Sequence, residues 1–231
     1  MKTIGLIGGV GPESTLYYYQ NIMHAFNTTY ADLAYPQLIL YSVNMHEIVH
    51  FARSEDWPGL AEWLLAKIDA LQRAGAEFAA IASNTPHIVF DRLQDVSPMP
   101  LLSIVTATCD RVREMGLRRI GLLGTRLTME HDFYKSPFLA NGVEIVVPTE
   151  AERELIHEKI FSELELGLVR ESTRTAFLAI VERMVQAEGI DSLVLGCTEL
   201  PLLLTESRFG IPFLNTADIH CQSIIRYCIE P

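Results

Sequence analysis

Short apolar runs alternate along the chain with longer segments of helical spacing. Apolar runs at 3–7, 37–43 and 77–82 predict strands, and the segments 13–26 and 57–74 between them carry apolar residues at helical intervals. The alternation continues to the end of the chain, with predicted strands at 101–104, 119–123, 143–147, 193–195 and 212–214 and predicted helices at 107–115, 150–167, 173–188 and 217–227. Strands that alternate with helices predict an α/β fold, with mostly parallel sheets flanked by helices.

The second half of the chain resembles the first. Ile4 to Gly8 recurs as Ile120 to Gly124, and the end of the strand at Ser83 corresponds to Cys197, with offsets of 116 and 114 residues. A nearly constant offset indicates a duplicated unit of about half the chain. We therefore expect two similar α/β lobes related by a pseudo-twofold axis, with the active site between them.

The expected lobe boundaries lie at two proline-containing segments. The first lobe is predicted to comprise residues 1–98 together with 210–231, and the second lobe to comprise residues 99–209. The C-terminal segment would thus return to complete the first lobe.

Composition narrows the class of protein. The 231 residues are 49% hydrophobic and 20% charged, as in a globular protein, and no apolar run approaches the length of a membrane span. A formal net charge of −11 argues against a nucleic-acid partner, which needs clustered Lys and Arg. The N-terminus has no secretory pattern, and the four cysteines have neither disulfide nor metal spacing, so we expect a cytoplasmic protein with reduced thiols.

Polar residues follow the predicted strands in both halves. In parallel sheets ligands bind beyond the carboxyl ends of the strands, where exposed amides and hydroxyls can hold a small carboxylate. The predicted substrate-binding residues are Gly9, Ser14, Asn84, Thr85, Thr125, Thr128, Thr198 and Glu199. The seven histidines form no cluster with metal-ligand spacing, so no metal is predicted.

Cys197 is the candidate catalyst, because a thiolate can act as a base toward carbon and its pKa is readily tuned by neighbouring groups. A lone cysteine at a strand end is also often a small buried apolar residue. Ser83 occupies the equivalent place in the first repeat.

Several segments resemble the aspartate/glutamate racemase family. They are Gly8 to Thr15, Asn84 to His87, Gly124-Thr125 with Thr128-Met129, Glu163-Leu164, and Leu195 to Leu200. The resemblance implies two α/β lobes, a homodimer and a cofactor-independent amino-acid racemase that uses two cysteines on opposite faces of the substrate. Cys197 matches the second of these cysteines, and Ser83 stands where the first is usual.

The serine suggests that the reaction has a preferred direction. A hydroxyl can donate a proton but is a very poor base without activation, whereas a thiol ionises within reach of neutral pH. Cys197 would remove the α proton of the L-enantiomer, and the Ser83 side would return a proton to the other face. No lysine or arginine is evident for a side-chain carboxylate, and Glu165 lies where a basic residue would suit one. The expected substrate is aspartate or glutamate, with a neutral amino acid as the alternative.

Two other classes of function fit a single cysteine. A one-cysteine relative could decarboxylate a malonate-like acid or isomerise an unsaturated diacid, because one thiol suffices to protonate an enolate or to add to a double bond. A catalytically degenerate protein that binds an amino acid is the third interpretation, and Ser83 is the feature that supports it.

Overall fold

The fold is known from a computed structural model, which describes residues 1–29 and 33–230. The chain divides into two compact units, one comprising Met1–Ala107 with Ala217–Pro231 and the other Thr108–Thr216. The division falls nine residues beyond the first boundary expected from the sequence and seven beyond the second. The C-terminal helix therefore belongs to the first unit.

The first unit is a four-stranded parallel sheet with helices packed against it. Its strands are β1 (Ile4–Gly8), β2 (Leu38–Ser42), β3 (Phe78–Ile81) and β4 (Leu101–Leu102), in the order β2-β1-β3-β4. Its helices are α1 (Pro12–Thr29), α2 (Met45–Ser54), α3 (Trp57–Arg73), α4 (Phe90–Val96) and α5 (Ile104–Glu114), which continues into the second unit, with α10 (Thr216–Ile229) at the C-terminus.

Apolar residues cover both faces of the first sheet. Every residue of β1 is buried, as expected for a central parallel strand. Leu60, Leu64 and Ile68 lie on the buried face of α3 and contribute to one core cluster. Residues of α10, including Ile224, join Tyr18 of α1 in a second cluster. The last helix of the chain thus helps to bury its first strand.

The second unit repeats this arrangement. Its strands are β5 (Arg119–Gly124), β6 (Glu144–Val146), β7 (Ser192–Gly196) and β8 (Phe213–Asn215), all parallel and in the order β6-β5-β7-β8. Its helices are α6 (Arg126–Glu130), α7 (Asp132–Ala140), α8 (Glu150–Ser162) and α9 (Glu171–Arg183), the last continued by a π-helical turn at Met184–Glu188. Leu123, Ile156, Phe177 and Val181 are among its fully buried core residues.

The strand orders confirm the duplication predicted from the sequence. β1 corresponds to β5 and β3 to β7, because each pair holds the same place in its sheet. The two four-stranded parallel sheets, each flanked by helices, confirm the predicted α/β fold class.

Short helices were missing from the sequence prediction. The loop expected after β2 is largely the helix α2, which Asn44 caps by accepting a hydrogen bond from the His46 amide at 3.0 Å. Helices α4, α6 and α7 were also not predicted, and each has nine residues or fewer. Such segments are too short to show several turns of helical periodicity.

The predicted helix 150–167 was too long. α8 ends at Ser162, and a 3₁₀ turn at Leu164–Leu166 follows it. Glu163 marks the change of direction, since its buried carboxylate accepts a hydrogen bond from Thr173 at 2.5 Å and pairs with Lys159 at 3.1 Å. Gly167 then adopts φ +70°, a left-handed conformation that stops the turn.

In the part of the chain that the structure describes, no helix has both the length and the apolar character needed to cross a membrane.

Candidate active site

The two predicted catalytic residues lie at equivalent places in their units. Ser83 follows β3 after one intervening residue, and Cys197 directly follows β7. Both side chains are largely buried, at 7% and 6% exposure. Each therefore sits at the carboxyl end of a central strand, the edge at which parallel sheets bind ligands.

The glycine-containing loop between β1 and α1, residues 9–11, is held by hydrogen bonds to the first turn of α1. The Gly9 amide donates to the Thr15 hydroxyl at 2.8 Å, and the Ser14 hydroxyl donates to the Gly11 carbonyl at 2.8 Å. Gly9 has φ +85°, and a Cβ there would lie 2.3 Å from the Val43 carbonyl oxygen. Gly9 is thus required by the turn, and the proposed substrate contacts of Gly9 and Ser14 stay predictions.

The segment after β3 brings three predicted residues together. Ser83 and Asn84 are buried, and Thr85 begins a 3₁₀ turn that runs to Val89. The Ser83 side chain is 7% exposed. A serine hydroxyl can rotate its hydrogen toward a partner and can therefore donate to a bound substrate.

His87 does not activate Ser83 as a base. Its Nε2 accepts a hydrogen bond from the Ile104 amide at 3.3 Å, and its ring stacks on Phe90. Burial, followed by the charge of His220, lowers the pKa of His87 to about 3. His87 is therefore neutral at physiological pH and has a structural role.

Thr125 and Thr128 occupy the corresponding loop of the second unit. Thr125 caps α6, and its hydroxyl lies 3.1 Å from that of Thr128. Thr128 is completely buried, and a Cβ added at Gly124 or Gly196 would lie only 3.1 or 3.2 Å from its methyl carbon. The structure thus places Thr128 behind Thr125, where it supports the loop, while contact of either with substrate stays a prediction.

Cys197 is hydrogen-bonded to a carboxylate. Its Sγ donates to Glu199 Oε2 at 3.1 Å, and the Thr198 hydroxyl donates to the same oxygen at 2.9 Å. Glu199 is only 2% exposed. The sequence predicted Thr198 and Glu199 as substrate ligands, and the structure shows in addition that Glu199 is the partner of the thiol and that Thr198 donates to Glu199.

Burial raises the pKa of the Cys197 thiol well above its ordinary value, and the carboxylates of Glu199 and Glu165 raise it further. Cys197 is consequently a thiol in the ligand-free protein. It needs a proton acceptor before it can serve as a base, and Glu199 is hydrogen-bonded to it.

Glu165 is the site residue whose part the sequence did not reveal. Burial, followed by the charge of Glu199, raises its pKa to about 8. Within the described residues its Oε2 is buried and has no hydrogen-bond partner. The sequence showed an acidic residue where a basic one would suit a substrate carboxylate. The predicted continuous helix 150–167 concealed the position of Glu165 beside Cys197.

Three of these side chains could also hold a metal ion. The ligand atoms of Glu165, Cys197 and Glu199 all lie within 4.8 Å of one another. The prediction of no metal was based on the spacing of histidines and cysteines and did not include these carboxylates. The absence of a metal stays a prediction.

The arrangement suits proton transfer at carbon. The first unit presents a buried hydroxyl at a strand end, and the second presents a buried thiol that is hydrogen-bonded to a carboxylate. Thiol, carboxylate and hydroxyl groups are able to act as general acids and bases, and they stand here on an α/β fold.

Comparison with known proteins specifies the family. The family model described as Asp/Glu/Hydantoin racemase matches residues 7–224. The chain belongs to the Asp/Glu/Hydantoin racemase family, as the sequence resemblance predicted, and it is accordingly an enzyme of the amino-acid racemase type.

Solved structures and a curated relative agree with this assignment. An aspartate racemase homologue from Pyrococcus horikoshii is 39% identical with a TM-score of 0.84, and a Yersinia pestis structure assigned to the Asp/Glu racemases is 35% identical with a TM-score of 0.90. Both comparisons cover 100% of each chain. The broad specificity amino-acid racemase RacX of Bacillus subtilis is 21% identical over 225 residues, which is 96% of each protein.

Proposed function

We propose that this enzyme racemises an amino acid by removing the α proton with Cys197 and returning a proton from the Ser83 side. The observation that carries the proposal is the hydrogen bond of 3.1 Å between the Cys197 thiol and the buried Glu199 carboxylate. The equivalent strand-end positions of Ser83 and Cys197 support their roles as opposed groups in a duplicated fold.

The proton balance of the proposed reaction is as follows. The Cys197 thiol passes its proton to Glu199, and the resulting thiolate takes the α proton of the L-enantiomer. The Ser83 hydroxyl then gives its proton to the opposite face of the carbanion and recovers one from water. Glu199 releases its proton to the hydroxide that remains, which restores the starting protonation of all three side chains. The chemistry uses side chains alone, so no cofactor takes part in the proposed cycle.

The substrate is an amino acid, and aspartate or glutamate is our first proposal because the family model names both. A neutral amino acid is the alternative, since carboxylates alone supply the charges that raise the pKa of Cys197. We also propose that the enzyme is a cytoplasmic homodimer, as the resemblance to the family implies.

Incorporation of solvent deuterium at Cα across a panel of L- and D-amino acids tests the function. We expect exchange with at least one L-amino acid, and a fall of about 10²- to 10⁴-fold in Cys197→Ala, the usual contribution of a general base. Cys221→Ala, which removes a buried thiol from α10, should retain exchange and serves as the matched control. Unchanged exchange in Cys197→Ala would remove Cys197 from the mechanism.

A decarboxylase is the second candidate, favoured by the raised pKa of Cys197, which makes this residue a proton donor in the free enzyme. A donor thiol could protonate the enolate left by loss of CO₂ from a substituted malonate. Product analysis after incubation with aspartate, glutamate, maleate and a substituted malonate distinguishes the two reactions, because only decarboxylation releases CO₂.

A further inference from the structure

Glu165 is held beside the thiol by a rigid turn. α8 ends at Ser162, and the buried carboxylate of Glu163 fixes the following turn through Thr173, at 2.5 Å, and Lys159, at 3.1 Å. The Leu168 amide also donates to the Glu163 carbonyl at 2.9 Å. Glu165 lies in this turn, so these contacts fix the backbone from which its side chain reaches Cys197.

The carboxyl group of Glu165 has an unsatisfied oxygen. Within the described residues Oε2 is buried without a hydrogen-bond partner. Buried carboxyl oxygens without partners are costly, so such an atom indicates a donor that arrives with a ligand.

The charges around Glu165 favour a cationic donor. Glu199 and Cys197 face it from the segment after β7, and Glu199 is the charge that raises its pKa. On its own segment, Glu163 is already paired with Lys159 and Arg170. A positive group of the ligand would therefore meet the unsatisfied oxygen of Glu165 beside the negative charge of Glu199.

We propose that Glu165 binds the α-ammonium group of the substrate. The inference rests on the proposed function, because it assumes that Cys197 meets the substrate at Cα. It assigns Glu165 as the residue that selects α-amino acids over 2-hydroxy acids and malonates.

Distance decides between the α-ammonium group and a cationic side chain. A thiolate that removes the α proton approaches Cα to about 3.5 Å, and the α nitrogen lies about 1.5 Å from Cα. Sγ is then roughly 4 Å from that nitrogen. A carboxylate oxygen hydrogen-bonded to the nitrogen lies about 2.8 Å from it, and an oxygen of Glu165 that is no more than 4.8 Å from Sγ can meet both distances. An extended lysine ammonium would lie roughly 8 Å from Sγ, which puts its partner oxygen beyond about 5 Å.

Binding of the ammonium group should release a proton. Glu165, whose pKa is raised to about 8, is mainly neutral at pH 7, and the arriving cation favours its ionised form. The carboxylic acid gives its proton to the buffer and becomes the carboxylate that pairs with the α-ammonium group. Proton release on binding is thus a property of Glu165 that does not depend on turnover.

Calorimetry with matched ligand pairs tests the assignment. The probes are L-aspartate against L-malate and L-alanine against L-lactate, in which a hydroxyl replaces the ammonium group, each titrated in HEPES and in Tris at pH 7. We expect the wild type to prefer the amino acids and to release close to one proton per bound amino acid. Glu165→Gln should weaken amino-acid binding by about 10- to 100-fold, leave hydroxy-acid binding unchanged and abolish the proton release.

Two variants serve as controls. Glu171→Gln makes the same change of charge on the exposed start of α9 and should behave as the wild type. Glu165→Asp keeps the acid and should recover part of the preference for amino acids. If Glu165→Gln does not fold, the Asp variant still decides, because a shorter carboxylate should reduce the preference without removing the proton release.

Several outcomes would overturn the assignment. These are equal binding of the amino and hydroxy acids by the wild type, no binding of any of the four probes, or a preference that Glu165→Gln leaves intact. Loss of the preference on EDTA treatment, with recovery on adding one equivalent of Zn²⁺, would show that the cluster holds a metal instead. Deuterium exchange separates the two proposals: exchange with an unaltered preference in Glu165→Gln refutes this inference alone, and a preference without exchange refutes only the racemase.

Discussion

At the scale of single residues, the site places two carboxyl groups, those of Glu165 and Glu199, beside the thiol of Cys197. Glu199 accepts the hydrogen bond from Cys197 at 3.1 Å, and its charge raises the pKa of Glu165 to about 8. The sequence indicated Cys197, Ser83 and Glu199, because each lies within three residues of the end of an apolar strand. It could not indicate the role of Glu165, since the turn that carries Glu165 depends on the tertiary contact between Glu163 and Thr173.

The raised pKa of Glu165 predicts a stability cost that depends on pH. The unfolded carboxyl group ionises near 4.5 and the folded one near 8, so ionisation favours unfolding increasingly from about pH 4.5 to about pH 8. Glu165→Gln removes this penalty. Its Tm relative to the wild type should therefore rise across that interval and level off above it.

Thermal melts from pH 4 to pH 9 measure this effect, with Glu171→Gln as the control for net charge. A Tm difference between Glu165→Gln and the wild type that stays constant over the range would show that Glu165 ionises normally in the folded protein.

At the scale of elements, apolar runs predicted the strands, and the signal is clearest for the central strands β1, β3, β5 and β7, which are buried along nearly their whole length. β1 and β7, for example, are buried along their whole length. The short helices α6 and α7 gave no comparable signal, since one turn or two cannot show a helical period. The end of α8 was also missed, because a buried hydrogen bond between Thr173 and Glu163, and not a proline or glycine, lies where the helix ends.

The contact between Glu163 and Thr173 should be the anchor of the turn after α8. Thr173→Val keeps the shape of the side chain but removes the hydroxyl that donates to Glu163 at 2.5 Å, so the turn should lose about 1–3 kcal/mol of local stability. Hydrogen exchange of the amides of Leu166, Gly167 and Leu168 should become correspondingly faster.

Thr175→Val, at an exposed position of the same helix, is the matched control and should leave those amides unchanged. Equal protection in Thr173→Val and the wild type would mean that the turn is held by its backbone hydrogen bonds alone.

At the scale of the whole molecule, duplication supplies two strand-end sites of the same origin and different chemistry. The first unit carries Ser83 after its central strand β3, and the second carries Cys197 after its central strand β7. In the proposed mechanism, a serine in place of a thiol should weaken one direction of proton removal and not the other. Because the equilibrium constant between free enantiomers is close to one, the asymmetry must appear in the rates at saturation and in binding, and not in the final ratio of products.

The most direct measurement is solvent-deuterium exchange at Cα in Ser83→Cys, with each enantiomer of the active amino acid at saturating concentration. We predict that exchange from the D-enantiomer rises on the order of tenfold or more, since a thiol replaces a hydroxyl as the base on that face, while exchange from the L-enantiomer still requires Cys197. Exchange from the D-enantiomer that does not change in Ser83→Cys, or that persists from the L-enantiomer in Cys197→Ala, would contradict the opposed roles of these two residues.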